Sequence, residues 1–320
     1  LVDERTPQPA QAPLVGLLKT AHLENPRLSG RVLRVSALDG TSSRQLADLL
    51  RAEGSAADDA SEVRYDVEGR RQVRRLQEAV LDAGPEKPAL KPGGVYWVTG
   101  GLGGLGVQFA RYLGRVQDVT VVLSGRSALG PAGETSLRAL RDAGVRAHYL
   151  QADVCQREDV ARVVRTIMAE HGSLDGILHA AGLLRDAYLL RKNPADIASV
   201  LEPKLHGTLN IDAVCRELDL DFLVLFSSVA GVFGNVGQAD YAGANAFLDA
   251  FAEHRQSLVN SGERRGRTLA IAWPLWASGG MTVDAITLES LRRKRGWEPL
   301  PTEDGLRAFG QLLSEAAFEQ

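Results

Sequence analysis

A short apolar run, Val95 to Val98, leads directly into Thr99-Gly100-Gly101-Leu102-Gly103-Gly104-Leu105-Gly106, after which the residues take up helical spacing. This join constrains the fold more than any other feature of the chain. Gly100 can make a backbone turn closed to other residues, Gly104 lets the main chain approach a pyrophosphate, and Gly106 lets the helix lie close to the strand. The helix amino terminus adds unpaired N–H groups and a partial positive charge suited to phosphates. A flexible glycine linker fits poorly, because the preceding run is apolar on both faces. Strand, glycine turn and helix in that order predict a dinucleotide site built from Thr99, Gly100, Gly101, Gly103, Gly104, Leu105 and Gly106.

The residues after this join alternate between short apolar runs and helical stretches. Strands are expected at Val95 to Val98, Val119 to Leu123, Ala147 to Leu150, Gly176 to His179, Phe222 to Phe226 and Thr268 to Trp273. Helices are expected at 104–114, 133–143, 157–171, 194–217 and 239–260. Continuous apolar strands separated by such helices imply an α/β fold, a doubly wound parallel sheet of the Rossmann type, with ligands at the carboxyl ends of the strands. Upstream, Pro7 to Pro13 reads as a linker or loop. It is followed by helices at Leu14 to Glu24 and Arg44 to Ala52 and by strands at Val32 to Val35, Val63 to Val67 and Arg71 to Leu76. Pro85, Pro88 and Pro92 mark a boundary across Asp82 to Gly94. The domains expected are 1–88 and 89–320.

Composition narrows the function classes. Of 320 residues 44% are apolar, enough for proper cores, and a net charge of -3 gives no electrostatic case for nucleic acid or an anionic membrane. The two cysteines, Cys155 and Cys215, are not spaced for a disulfide framework or a zinc site, so a reducing, cytoplasmic setting and no metal are expected. No apolar run is long enough to span a bilayer, and the amino terminus carries no signal pattern. A first residue other than Met suggests a piece of a larger polypeptide.

At the end of the second strand, where an acid would read a ribose hydroxyl, stand Ser124-Gly125-Arg126-Ser127. A guanidinium and hydroxyls there suit a 2'-phosphate and favour NADPH over NADH, with a solvated loop charge as the competing reading of Arg126. Asp153-Val154 would meet the adenine amino group, and the small residues Ala180-Ala181-Gly182 would leave room for the dinucleotide, although ordinary turns use them as well. Tyr241 and Asn245 lie one helical turn apart and share a face, Phe226-Ser227-Ser228 ends the fifth strand, and Lys204 lies in the helix before it.

These residues resemble the short-chain dehydrogenase/reductases, and specifically the ketoreductase domains of modular polyketide synthases. Most of the superfamily carries lysine four residues after the tyrosine, whereas this chain has Asn245 there and Lys204 upstream, the exchanged arrangement of polyketide ketoreductases. The resemblance runs from about Leu14 to the end and is strongest from Gly94 to Met281, with Val229 to Phe251 carrying much of it. It implies NADPH-dependent reduction of a β-ketoacyl thioester held on an acyl carrier protein by a phosphopantetheine arm, among neighbouring synthase domains. Tyr241 would be the general acid, Ser228 would bind the carbonyl, and Asn245 would hold Lys204 or a relay water. A free phenol has a pKa of about 10, and an ammonium about 4 Å away at an effective dielectric of about 20 supplies roughly 4 kcal/mol, about three pKa units. Lys204 is therefore expected to lower the Tyr241 pKa.

The resemblance also bears on stereochemistry. Leu184-Arg185-Asp186 stands where reductases giving the D-configured hydroxyl (B-type) commonly carry Leu-Asp-Asp, and Phe233 stands where the L class carries tryptophan. Val236 and Asp240 replace residues that often accompany the D class; such departures occur in synthases served by separate acyltransferases. Gln238 replaces a histidine that marks epimerised substrates. Leu275-Trp276-Ala277 and Gly279-Gly280-Met281, with a helix at 284–295, resemble a substrate lid, and Trp276 and Met281 read equally well as core. Arg292-Arg293-Lys294-Arg295 ends that helix as a carrier-docking patch or a solvated helix end. The first ninety or so residues resemble the carboxyl-terminal part of the family's structural subdomain, a degenerate, incomplete Rossmann-like unit, trimmed or separated from its other half by an inserted domain. A free-standing reductase of small carbonyl compounds and a catalytically silent domain are the alternatives. The swapped lysine opposes the first, and retention of Ser228, Tyr241, Lys204 and Asn245 opposes the second.

Overall fold

A computed structural model describes residues 2–3, 9–36, 42–58, 60–78, 90–280 and 284–314. Most of the expected boundary, 82–89, the start of the Pro-rich segment, and Met281 lie outside the described residues. The amino-terminal part runs β1 (Val2–Asp3), α1 (Pro13–Glu24), β2 (Val32–Val35), α2 (Ser43–Gly54), β3 (Glu62–Tyr65) and β4 (Arg71–Val73). Its sheet has the order β1-β2-β3-β4, with β4 antiparallel to β3 and the other pairs parallel. Ser42 and Gln45 close a reciprocal capping box on α2.

The larger part runs β5 (Val95–Thr99), α3 (Gly104–Leu113), β6 (Thr120–Gly125), α4 (Pro131–Asp142), β7 (Arg146–Gln151), α5 (Arg157–His171), β8 (Gly176–His179), α6 (Pro194–Val214) and β9 (Phe222–Ser228). It continues through α7 (Val229–Phe233), α8 (Ala239–Asn260), β10 (Arg267–Trp273), α9 (Ala285–Arg295) and α10 (Thr302–Leu313). The six strands are all parallel, in the order β10-β9-β8-β5-β6-β7, so the sheet is doubly wound as expected. Alternate residues of β5 face opposite layers: Tyr96 and Val98 join α3, α4 and α10 on one side, and Val95 and Trp97 join α5, α6 and α8 on the other. At the centre of the first layer Phe109 meets Phe226, Trp273, Trp276 and Phe309 in tilted and edge-on contacts. Truncating such a side chain to alanine costs about 3–5 kcal/mol.

The two sheets are joined through α1 and α8. A Cβ on Gly16 would lie 2.4 Å from the carbonyl carbon of Ala242, and one on Gly243 would lie 3.0 Å from the Pro13 oxygen. Glycine on both helices therefore lets the backbones touch beside Tyr241. The strand order reverses between β5 and β8, and the crevice this opens at their carboxyl ends lies where such folds bind ligands.

Candidate active site

The β5–α3 turn forms one wall of the crevice. Gly100 has φ +63°, and a Cβ there would be 2.9 Å from the Ala181 Cα, so this turn packs against the Ala180-Ala181-Gly182 segment that follows β8. Gly101 and Gly106 are buried, and a Cβ on Gly106 would strike the Gly100 oxygen at 2.6 Å. Gly103 is the N-cap of α3, and the N–H groups of Gly104, Leu105 and Gly106 begin the helix without an intrahelical acceptor. A Cβ on Gly104 would lie 1.9 Å from the Gly279 oxygen, so the segment after β10 crosses directly over this turn. A bare glycine cradle at a helix amino terminus fits a pyrophosphate.

The other cofactor candidates divide into rim and support. Arg126 and Ser127 are exposed, and their carbonyls accept from Gln151 Nε2 at 3.1 Å and the Tyr149 hydroxyl at 2.5 Å. Ser124 lies inside the protein, where its hydroxyl accepts from the Trp97 indole at 2.9 Å, and does not face the rim. Thr99 is buried too: its hydroxyl contacts His179 Nδ1 at 2.7 Å and accepts from Ala181 N at 3.2 Å. Burial holds His179 neutral, with a pKa lowered to about 3. Its Nε2 then donates to the Pro203 carbonyl at 3.0 Å. Asp153 accepts from Cys155 N within its own turn, and Val154 is buried against Gly207.

The second wall is a pocket of ≈ 230 Å³ that brings together Lys204, Ser228 and Tyr241 with Leu184, Asp186 and Gln238. Ser228 ends β9 and caps α7, its Oγ accepting from Ala230 N at 3.2 Å, and the same hydroxyl is within hydrogen-bonding reach of the Tyr241 phenol. Lys204 is 4% exposed, donates to the Phe226 carbonyl at 2.7 Å and lies 5.8 Å from the centre of the Tyr241 ring. Burial lowers its pKa to about 8. Tyr241 shows a different balance from the one expected. Burial raises its pKa, with Ser228 and Asn245 opposing the rise, and Lys204 does not pull the phenol below its ordinary value in this structure. Asn245 bonds the Tyr241 carbonyl through Nδ2 at 2.7 Å, while Lys204 Nζ bonds the Phe226 carbonyl; Asn245 Oδ1 is buried without a partner.

Several residues around this pocket, though not in its lining, were not singled out by the sequence. Asp249 follows Asn245 by one turn of α8, and burial raises its carboxyl pKa to about 6 against the Ser227 hydrogen bond and the nearby Arg74 and Lys204. The spacing 241, 245, 249 on an otherwise apolar helix face was the available signal. Asp240, read only as a departure from a family pattern, forms a buried ion pair with Lys192 at 2.8 Å, and Lys192 also donates to the Arg185 carbonyl at 2.7 Å. From α1, Glu24 accepts from Leu189 N at 2.7 Å and Gly237 N at 2.8 Å, tying down the two loops that flank the pocket. Gln238 donates to Asp186 at 2.9 Å, and Leu184 packs against Tyr241.

The lid residues separate. Trp276 is 4% exposed within the aromatic core and turns one edge to the pocket; Ala277 N donates to the Leu300 carbonyl at 2.8 Å. Phe233 does not line this pocket but meets Trp297 in a tilted ring contact, centroids 5.6 Å apart. Arg292 and Arg293 are paired with Glu298 and Glu289, and the side chains of Lys294 and Arg295 are outside the described residues. Among the described residues no three His, Cys, Asp or Glu side chains form a metal site, and Cys155 and Cys215 are free thiols.

The sequence profile described as "KR domain" matches residues 94–278, which is more than half of the chain. The chain belongs to the KR domain family, the ketoreductase domains of polyketide synthases. Relatives of this ketoreductase include polyketide synthase PksL of Bacillus subtilis, 38% identical over 297 residues, covering 92% of this chain and 6% of that protein. Polyketide synthase ThaG of Burkholderia thailandensis is 38% identical over 306 residues, 94% of this chain and 5% of that protein. The ketoreductase thus spans about one-twentieth of the curated relatives it matches. A ketoreductase domain from the bacillaene assembly line superposes with a TM-score of 0.85 at 38% identity, covering 95% of this chain and 71% of that one. KR domains are NADP-dependent oxidoreductases with the Rossmann-type fold seen here.

Proposed function

We propose that this chain reduces a β-ketoacyl thioester, delivered on the phosphopantetheine arm of an acyl carrier protein, to the D-configured β-hydroxyacyl thioester with NADPH. The observation that carries the reading is the convergence of Ser228, Tyr241 and Lys204 on one pocket beside the glycine cradle. Gly100 to Gly106 would hold the pyrophosphate, Ala180 to Gly182 the other side of the dinucleotide, and Arg126 a 2'-phosphate. When bound, the reduced nicotinamide supplies the hydride that adds to the carbonyl carbon.

The chain's own residues manage the oxygen. The Ser228 hydroxyl, beside the Tyr241 phenol, donates to the carbonyl oxygen and stabilises charge as it develops there. Tyr241, kept protonated by burial, gives its proton to the alkoxide, and Lys204, still charged at neutral pH, faces the phenolate that results. The unpartnered Asn245 Oδ1 is an acceptor that could hold a water beside Tyr241, and such a water would return the proton to the phenolate. We assign the amino-terminal residues 1–88 a supporting role and 89–320 the catalytic one, in a cytoplasmic synthase; among the described residues no helix is long and apolar enough to cross a membrane.

Asp186, held by Gln238, and Leu184, packed on Tyr241, support the D assignment. The test is NADPH oxidation with a β-ketoacyl thioester, followed by chiral analysis of the product. A D-configured alcohol, with a preference for NADPH over NADH that Arg126→Ala removes, is expected. An L-configured alcohol would refute the stereochemical part, and indifference to Arg126→Ala would refute the assignment of the phosphate.

A further inference from the structure

Behind the catalytic pocket lies a second cavity of ≈ 310 Å³ that the reaction as derived does not use. The two share a wall made by Val229, Pro274, Leu275, Leu291 and Trp297. Beyond it the cavity is closed chiefly by Phe233 and by Leu288 of α9, so its lining is largely aliphatic and aromatic. Trp297 stands between the two spaces, braced by its ring contact with Phe233 at 5.6 Å and placed by a turn in which Gly296 has φ +64°. The Arg292–Glu298 ion pair at 2.9 Å closes that turn.

The catalytic pocket, by contrast, combines apolar walls with Asp186, Asn235 and Gln238, which are bonded to one another. Its ≈ 230 Å³ is smaller than the range of about 300–1,000 Å³ usual for small-molecule sites. A β-ketoacyl thioester has two unlike arms: a pantetheine side rich in amides, which suits the polar group, and a hydrocarbon side, which suits the apolar cavity.

We propose that the cavity behind Trp297 is the subsite for the distal hydrocarbon of the acyl chain, and that Trp297 and Leu288 set the length of chain reduced best. The proposal rests on the reading of the catalytic pocket given above. Burying a methylene is worth about fourfold in binding, so kcat/KM should climb by up to about that factor per added carbon until the cavity is full.

The experiment measures kcat/KM for N-acetylcysteamine thioesters from acetoacetyl through 3-oxodecanoyl. The wild type is expected to show a rise and then a plateau. Leu288→Trp, which fills the cavity from the side away from the catalytic residues, should flatten the rise while leaving the acetoacetyl rate nearly unchanged. Leu288→Ala should move the plateau to longer chains, and decides the matter if the tryptophan variant fails to fold. A flat series in the wild type, or a plateau that Leu288→Ala leaves in place, would overturn the proposal alone. Absence of turnover at every length would overturn the reading of the catalytic pocket, and the proposal with it.

Discussion

Arg255 and Lys204 are both buried, and their surroundings give them opposite tasks. Arg255, 1% exposed, spends its donors on Asp212, Thr268 and the carbonyls of Arg265 and Gly266, locking α8 to α6 and β10. Lys204 has one carbonyl acceptor for three donors and faces a pocket. Arg255→Met should cost about 3 kcal/mol or more in chemical denaturation, near the low end for a broken buried pair because Arg264 still neutralises Asp212. Lys204→Met should leave Tm equal or higher while lowering kcat by about 10²–10⁴. The sign follows from its pKa, lowered to about 8 from 10.5: between those values the native chain binds fewer protons than the unfolded one, so stability rises with pH there. Charged Lys204 thus costs about 3 kcal/mol of stability at neutral pH. Activity runs the other way. The rate of reduction should fall as pH rises through about 8, where Lys204 loses its charge while Tyr241 stays protonated. A pH profile flat to 10.5 would contradict this assignment.

At the level of elements, α1 positions the site without contributing to the chemistry. Its Lys19 donates to the Val232 carbonyl at 2.7 Å, its Thr20 hydroxyl accepts from Asn235 N at 3.2 Å, and Glu24 holds both flanking loops. Hydrogen bonds to a charged group are worth about 1.5–3 kcal/mol each, so Glu24→Ala should raise KM for the thioester several-fold or more and lower Tm, with KM for NADPH little changed. An unchanged KM for the thioester would show that the loops hold themselves. Long elements were legible in the sequence because period and punctuation agree: Pro194 after the capping Asn193 opens α6, and the glycine turn follows β5. The five-residue α7 is too short to show a period, and α10, whose Leu306, Phe309 and Leu313 recur at helical spacing, was not among the elements expected from the sequence. The side chains that meet in the candidate pocket, Lys204, Ser228 and Tyr241, were legible by type and spacing. Their partners were not, because Glu24 and Gly237 or Lys192 and Asp240 meet only through tertiary folding.

At the scale of the whole molecule, the described residues form two sheets of unequal kind, joined through α1 and α8. One carboxylate gathers three partners beside the smaller sheet: Glu53 bonds Arg31, Arg71 and Tyr65, and chiefly the Arg71 hydrogen bond lowers its pKa to about 2 from 4.5. Its contribution of about 3 kcal/mol is fully present above 4.5 and is lost as pH falls through 2, a loss that Glu53→Gln should abolish in acid titrations of stability. The larger sheet places cradle and pocket at its switch point, and the central claim concerns what these do together. It is tested most directly by NADPH oxidation with a β-ketoacyl thioester in Tyr241→Phe beside the parent chain, with NADPH affinity measured on both. Turnover should fall by about 10²–10⁴ in the variant while NADPH binding stays within about twofold. Retained turnover in Tyr241→Phe would contradict the account.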